Sequence, residues 1–393
     1  MSQNTIGRRV RALREGRDMS REDLAAALGL STETVKKLEQ GDRQADPRIS
    51  LLKAIGEVFH VEITSLLEDD DAPATDAEAD AAEVALLRAV LLAPTPAATR
   101  HADPATIWRA AEHGFAGFQA GHYNRLLRQL PDLIKTARAM PDEPASARGA
   151  YRAHHLAATT LMKYGGGPAA WHAAEKAVSY AKTSRDPIAI ALAAQTLVYT
   201  MTTIGAAEPG LETALTYTRQ LEDDLTSRSA PASTALGMLW LKGAIAAAES
   251  GAFREAQDML KRARRCGENV PPGANLFSTG FDQVNVLLYQ ISIDKSLSRY
   301  GPAADGADSL RPAALAALPR ERRTHHLIEA ADTYSRLRRT DDALAALLHA
   351  EHDNPREIRT RPAARQTIKT LLRAPGPIPD RLLALAIRAD VKA

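Results

Sequence analysis

Few residues in this chain favour β-structure. Aromatic side chains make up 5 % of its 393 positions, and strands draw heavily on aromatic and β-branched residues. Cysteine occurs once, at Cys266, which excludes an intramolecular disulfide framework and a cysteine-ligated zinc cluster. No long hydrophobic run is present. The longest, residues 188–201, is interrupted by Gln195 and falls short of the roughly 20 residues that a membrane span needs. The first residues carry charge but no apolar signal-peptide stretch, so a cytoplasmic protein is expected, with no membrane partner. Neither sign of charge dominates, with 50 Lys and Arg against 48 Asp and Glu.

What the chain has in excess is alanine, 75 residues of it. Alanine is the strongest helix former, so the composition predicts an all-α fold. The near-neutral charge is unevenly distributed. Residues 1–67 hold 11 basic and 10 acidic side chains, residues 68–83 hold eight acids and no base, and the remainder holds 39 basic against 30 acidic residues. A one-signed run mixed with Pro, Ala and Thr reads as a solvated linker. Three parts are therefore expected: a domain at 1–67, a linker at 68–83 and a helical body at 84–393.

Within the first part, short amphipathic patterns follow one another closely. Ile6, Val10 and Leu13 mark one helix. Ser20 opens a second with Asp23 in a capping-box position, and Gly29 closes it. A third helix, residues 32–40, buries Val35 and Leu38, and two more follow, the fifth ending at Leu66 and Leu67. Two short helices joined by a tight Gly-containing turn make a helix-turn-helix, whose second helix fits the major groove.

The string SREDLAAALGLSTETVKKLEQG, residues 20–41, with the later 51–54 and 63–67 segments, resembles the phage-repressor-like (XRE) helix-turn-helix family. That resemblance implies a five-helix DNA-binding domain and assigns roles by position. Thr32, Glu33 and Lys37 would meet base edges, since Lys can donate to guanine and a carboxylate can accept from cytosine. Arg21, Lys36, Gln40 and Arg43 would contact phosphates, which fix register without reading sequence. Arg14 and Glu39 match positions that pair internally in this family. Arg21 stands where the family usually has Gln. The domain's small net charge implies dimerisation to gain affinity on a palindromic operator in double-stranded DNA.

From Val84 onward helical pattern is cut by turn signals at Gly121, Gly165, Gly205, Gly251 and Gly301, with a sixth near Thr340. Intervals of about 40–50 residues, each holding two helices, indicate an α-solenoid. Strings such as AAEHGFAGFQAGHY, 110–123, resemble tetratricopeptide repeats. The final stretch resembles the ending of actinobacterial regulators that join this helix-turn-helix to a tetratricopeptide-like region, and the whole is similar to the peptide-sensing regulators of Gram-positive bacteria. Such a resemblance implies a peptide or small-molecule effector held in a concave groove. Polar stripes on the first helices of the pairs supply candidate groove residues: Arg152 and His155 with Arg148 and Thr159, Gln195 and Tyr199, and Asp282, Asn285 and Tyr289. An Asn or Gln there both donates to and accepts from an extended ligand. Trp108, Trp171 and Trp240 are expected in packing.

No catalytic constellation emerges, and no enzyme, cofactor or metal is expected. The run 165–167 of three glycines lacks the Lys-Ser/Thr of a phosphate loop. Adjacent His154-His155 and His325-His326 diverge on a helix, and His349 with His352 lacks a third ligand. Cys266 follows Arg264 and Arg265, neighbours that would lower a thiol's pKa, with a structural thiol as the default. Together these features predict a homodimeric DNA-binding transcriptional regulator whose tetratricopeptide-like region senses a signal. The alternative is an adaptor whose solenoid recruits a protein partner, with DNA binding weak or only a tether.

Overall fold

The computed structural model describes residues 4–15, 19–40, 49–59, 76–94, 103–225 and 228–391. All regular structure among them is helical. The chain divides into two compact units, residues 1–75 with 368–393, and residues 76–367.

The N-terminal unit begins with α1 (Asn4–Glu15), α2 (Arg21–Leu28), α3 (Thr32–Gln40) and α4 (Ile49–Phe59). Local chemistry sets the α2–α3 turn. Ser20 accepts from the backbone N–H of Asp23, and Asp23 returns a bond to the Ser20 N–H, which satisfies two orphan donors of the helix start. Gly29 then adopts a left-handed conformation, φ 65°, a geometry that a side chain resists. Val10, Leu24, Val35, Leu38, Leu52, Ile55 and Phe59 fill the core. Gly7 is buried where α1 crosses α3. A Cβ there would lie 2.3 Å from the Leu38 carbonyl oxygen, so α1 docks by having no side chain at that point. The expected fifth helix lies outside the described residues.

The second unit opens with α5 (Asp76–Leu92). Residues 76–83, expected as part of a solvated linker, are the start of a helix. It continues through α6 (Pro104–Gln119), α7 (Tyr123–Arg138), α8 (Pro144–Lys163), α9 (Gly167–Ser184), α10 (Pro187–Thr203), α11 (Ala207–Leu221), α12 (Ala230–Glu249) and α13 (Phe253–Gly267). After an irregular segment come α14 (Gln283–Ser296), α15 (Tyr300–Asp308), α16 (Pro312–Ala317), α17 (Arg320–Arg336), α18 (Thr340–Asp353) and α19 (Pro355–Thr360). The last helices are α20 (Pro362–Leu372), which spans the division, and α21 (Asp380–Arg388). Proline sits in the first turn of α6, α8, α10 and α12, where its missing N–H costs nothing.

One turn recurs between paired helices. An N–H bonds the carbonyl five residues back at His122, Gly166, Ala206, Ala252, Arg299 and Arg339, the long bond of a Schellman motif. The preceding left-handed residue is Gly121, Gly165, Gly205 and Gly251 in the first four, and Ser298 and Arg338 in the last two. The expected turn at Gly301 is therefore displaced to Ser298, and Gly301 lies within α15. Alanine explains the tight pairing. Ala150, Ala153 and Ala157 of α8 are buried in the same unit as Ala170, Ala173 and Ala177 of α9, and small side chains let helix axes approach closely. Trp240 is buried and Trp108 packs against Tyr151, whereas Trp171 is exposed.

An open solenoid contacts only neighbouring repeats, and an extended concave surface was expected. Here, distant parts of the second unit meet instead. Tyr123 donates to Glu357 at 2.6 Å, Lys163 bonds Glu357 at 2.9 Å and also reaches Glu321. Gln119 and Asn275 exchange bonds of 3.1 and 2.7 Å, and Arg152 donates to the Phe277 carbonyl at 2.9 Å. Arg356 pairs with Asp80. The helix pairs close on themselves.

Candidate nucleic-acid interface and ligand cavity

In the first unit, the amphipathic pattern of α3 decides what faces outward. Val35, Leu38 and Glu39 are buried, while Thr32, Glu33, Lys36, Lys37 and Gln40 are exposed on the other side. The helix N-terminus adds a positive dipole end suited to phosphate. Lys36 lies 3.8 Å from Glu33, a loose surface pair. Arg43 lies outside the described residues.

Arg21, expected as a phosphate contact, has an internal partner as well. Its Nε donates to Glu39 Oε2 at 2.7 Å, while Arg14 Nε donates to Glu39 Oε1 at 2.6 Å. Glu39 is 5 % exposed and Arg14 7 %. Burial pushes the Glu39 carboxyl up, but the two guanidiniums overcome this and hold it below the usual range. Arg21 therefore compensates a buried carboxylate and fastens α2 to α3. The internal Arg14–Glu39 pair is present as the resemblance implied, with Arg14 also capping the Met19 carbonyl at 2.8 Å.

The second unit encloses a cavity of about 390 Å³. Five of the seven proposed groove residues line it: His155, Gln195, Tyr199, Asn285 and Tyr289, with Thr159 beside them. The other two stand behind its wall. Arg152 is fully buried, ion-paired to Glu112 at 2.5 Å and stacked 3.7 Å above the ring of Phe115. Asp282 caps α14, accepting from the N–H groups of Asn285 and Gly273 at 2.9 Å each, which fixes the register of Asn285.

Charged residues of the lining escaped the sequence reading. Lys163, Lys242, Glu321, Arg322, His325 and Arg361 all face the cavity. Lys163 pairs with Glu321 and Glu357, and Arg361 Nη1 donates to Glu357 at 3.2 Å. Burial, reinforced by the Arg361 guanidinium, pushes His325 down to about 4, so its ring is neutral at neutral pH. Burial likewise places His155 well below its usual value. Lys242 was detectable in retrospect, as the only charged residue between positions 230 and 248. A single cation in an apolar helix makes no stripe at three- or four-residue spacing.

Cys266 is half-buried, and burial raises its thiol to about 11. The lowering expected from Arg264 and Arg265 does not occur.

An N-terminal pair of helices with a capped, Gly-closed turn and an exposed polar face on the second defines a helix-turn-helix DNA-binding domain. Residues 10–66 match the family described as Helix-turn-helix. Among solved structures, the chain is similar to the apo form of ComR from S. thermophilus, at 13 % identity over 80 % of this chain and 97 % of that one, with a TM-score of 0.27. It is similar to Bacillus thuringiensis PlcR in complex with the peptide PapR7 and DNA, at 11 % identity, 89 % and 99 % coverage and a TM-score of 0.30. The apo form of the competence regulator ComR from Streptococcus vestibularis gives 13 %, 87 %, 99 % and 0.29. A search of curated proteins returned no match. No described helix is long and apolar enough to cross a membrane.

Proposed function

We propose that this chain is a cytoplasmic, sequence-specific transcriptional regulator that binds a palindromic operator as a homodimer and responds to a signal molecule held in its helical body. The carrying observation is the exposed face of α3, Thr32, Glu33, Lys36, Lys37 and Gln40, within the segment that matches the helix-turn-helix family. Thr32, Glu33 and Lys37 read base edges. Lys36 and Gln40, with Arg43, contact the backbone. The cavity in the second unit receives the effector. A ligand that binds one conformation of that unit more tightly shifts the population, and with it the fit of paired domains to half-sites roughly 34 Å apart.

Footprinting tests the DNA half of the proposal. The expected result is a protected inverted repeat whose affinity falls about 5- to 150-fold in Lys37→Ala, the worth of one base contact at about 1–3 kcal/mol. Uniform weak protection of every sequence, unchanged in Lys37→Ala, overturns it.

A further inference from the structure

The cavity's charges are unequally compensated. Lys163 and Arg361 have carboxylate partners in Glu321 and Glu357, and His325 lies 3.5 Å from Glu329. Lys242 and Arg322 pair with no carboxylate among the described residues. Arg322 gives its Nε to Asn285 Oδ1 at 2.8 Å, a neutral acceptor. Lys242 Nζ sits 3.6 Å from the centre of the Tyr199 ring and 5.0 Å from that of Tyr289, and the Arg322 guanidinium lies 4.7 Å from the same Tyr289 centre. Two cations thus share one aromatic ring at one end of a part-enclosed site. Ring faces attract a cation but do not neutralise it, and burying unpaired charge is costly. Burial and the nearby Arg322 push the Lys242 ammonium down to about 8, while Tyr199 and the more distant Glu321 and Glu329 carboxylates act to raise it without pairing with it directly.

The rest of the lining is apolar or neutral. Phe115, Phe118, Met162, Met238 and Phe277 supply hydrophobic surface. Gln195 is 5 % exposed, and its Oε1 has no hydrogen-bond partner, which leaves a buried acceptor unsatisfied. At about 390 Å³ the space lies near the lower end of the roughly 300–1,000 Å³ typical of small-molecule pockets. It suits a compact ligand better than an extended peptide.

We propose that the cavity binds a small organic carboxylate with an apolar, preferably aromatic body. Its carboxylate sits on Lys242 Nζ and the terminal amino groups of Arg322. Its body lies against the phenylalanine and methionine side chains, and a hydroxyl or N–H on it donates to Gln195 Oε1. A charge-assisted contact gives the two cations the direct carboxylate partner that Glu321 and Glu329, acting only at longer range, do not supply, and the surrounding apolar surface favours the body over water. This assignment rests on reading the cavity as the effector site, and it names the effector's chemistry.

The test uses the full chain and paired probes: 3-phenylpropionate, 4-phenylbutyrate and 1-naphthoate, each against its primary amide, with phenyl phosphate as a further anion. Titration calorimetry should show at least one acid binding tenfold or more tightly than its amide. That preference should collapse in Lys242→Met and in Arg322→Gln, and persist in Lys242→Arg, with melting curves confirming that each variant is folded. Equal binding of acids and amides, a preference that survives Lys242→Met, or binding of phenyl phosphate alone overturns the carboxylate assignment. Footprinting with a bound acid separates this from the regulatory reading. An acid that binds without altering operator protection refutes sensing and leaves the carboxylate site standing. An operator that is protected while every acid fails refutes the carboxylate site alone.

Discussion

Glu357 provides the sharpest test of how the second unit holds together. Its side chain is 2 % exposed and accepts from Tyr123, Lys163 and Arg361 at 2.6, 2.9 and 3.2 Å, joining α7 and α8 to the end of the array. Burial raises its pKa, but Lys163 and Arg361 outweigh that and hold it at about 2, against an ordinary 4.5. At about 1.4 kcal/mol per pH unit, the ionised carboxylate contributes about 3 kcal/mol. Because the folded value is depressed, this stabilisation is complete above 4.5 and is lost as pH falls toward about 2. Glu357→Gln keeps the volume and removes the charge. In a domain this large each kcal/mol moves Tm by roughly 2 °C, so the variant should melt about 5 °C lower at neutral pH. Calorimetric melting at pH 7, 4 and 3 reads the difference, which should narrow in the two acidic samples. Equal melting temperatures at pH 7, or a gap that does not close in acid, would refute the assigned role of this carboxylate.

Glu39→Gln should loosen the N-terminal unit, since removing one member of a buried ion pair costs about 3–5 kcal/mol and the half-exposed Arg21 places this case at the low end. About 3 kcal/mol corresponds to roughly 100-fold faster amide hydrogen exchange in α1 to α3, and unaltered protection there would count against the buried triad. Cys266, raised to about 11 from an ordinary 9.0, should react with iodoacetamide at pH 7.5 roughly 100-fold more slowly in the folded chain than in denaturant. Equal rates would show that the thiol is not shielded.

Much of the fold was legible because it is encoded locally. The Ser20–Asp23 box and Gly29 mark the ends of α2 by hydrogen-bond and backbone requirements that few other residues meet. Four of the six helix-pair turns carry glycine at the left-handed position and were readable from sequence. Ser298 and Arg338 adopt the same conformation without glycine, so the fifth turn was assigned to Gly301 instead. The 76–83 segment was misread because an acidic run suggests solvation, although acidic residues also suit the positive end of a helix. Closure of the helix pairs was not legible. The Tyr123–Glu357 and Arg152–Phe277 contacts span 234 and 125 residues, and no periodic pattern announces pairings at that distance.

The candidate cavity was half readable for the same reason. Polar residues recurring along one helix, such as Gln195 with Tyr199, announce a shared face. Lys242, Arg322 and Arg361 come from three separate segments, and their convergence is a product of tertiary structure. Arg21 shows the converse: the surface pattern does not announce its ion pair with the buried Glu39 carboxylate.

Open helical repeats evolve by gaining and losing units, because an added pair needs only a neighbour on each side and a cap at each end. With Asp80 tied to Arg356 and Lys163 tied to Glu321 and Glu357, this array has no such latitude. Duplicating or deleting one pair would carry those partners out of register, so the number of repeats is fixed by geometry. Adaptation to a new effector must then come from substitutions on the inner wall, not from a longer or shorter array.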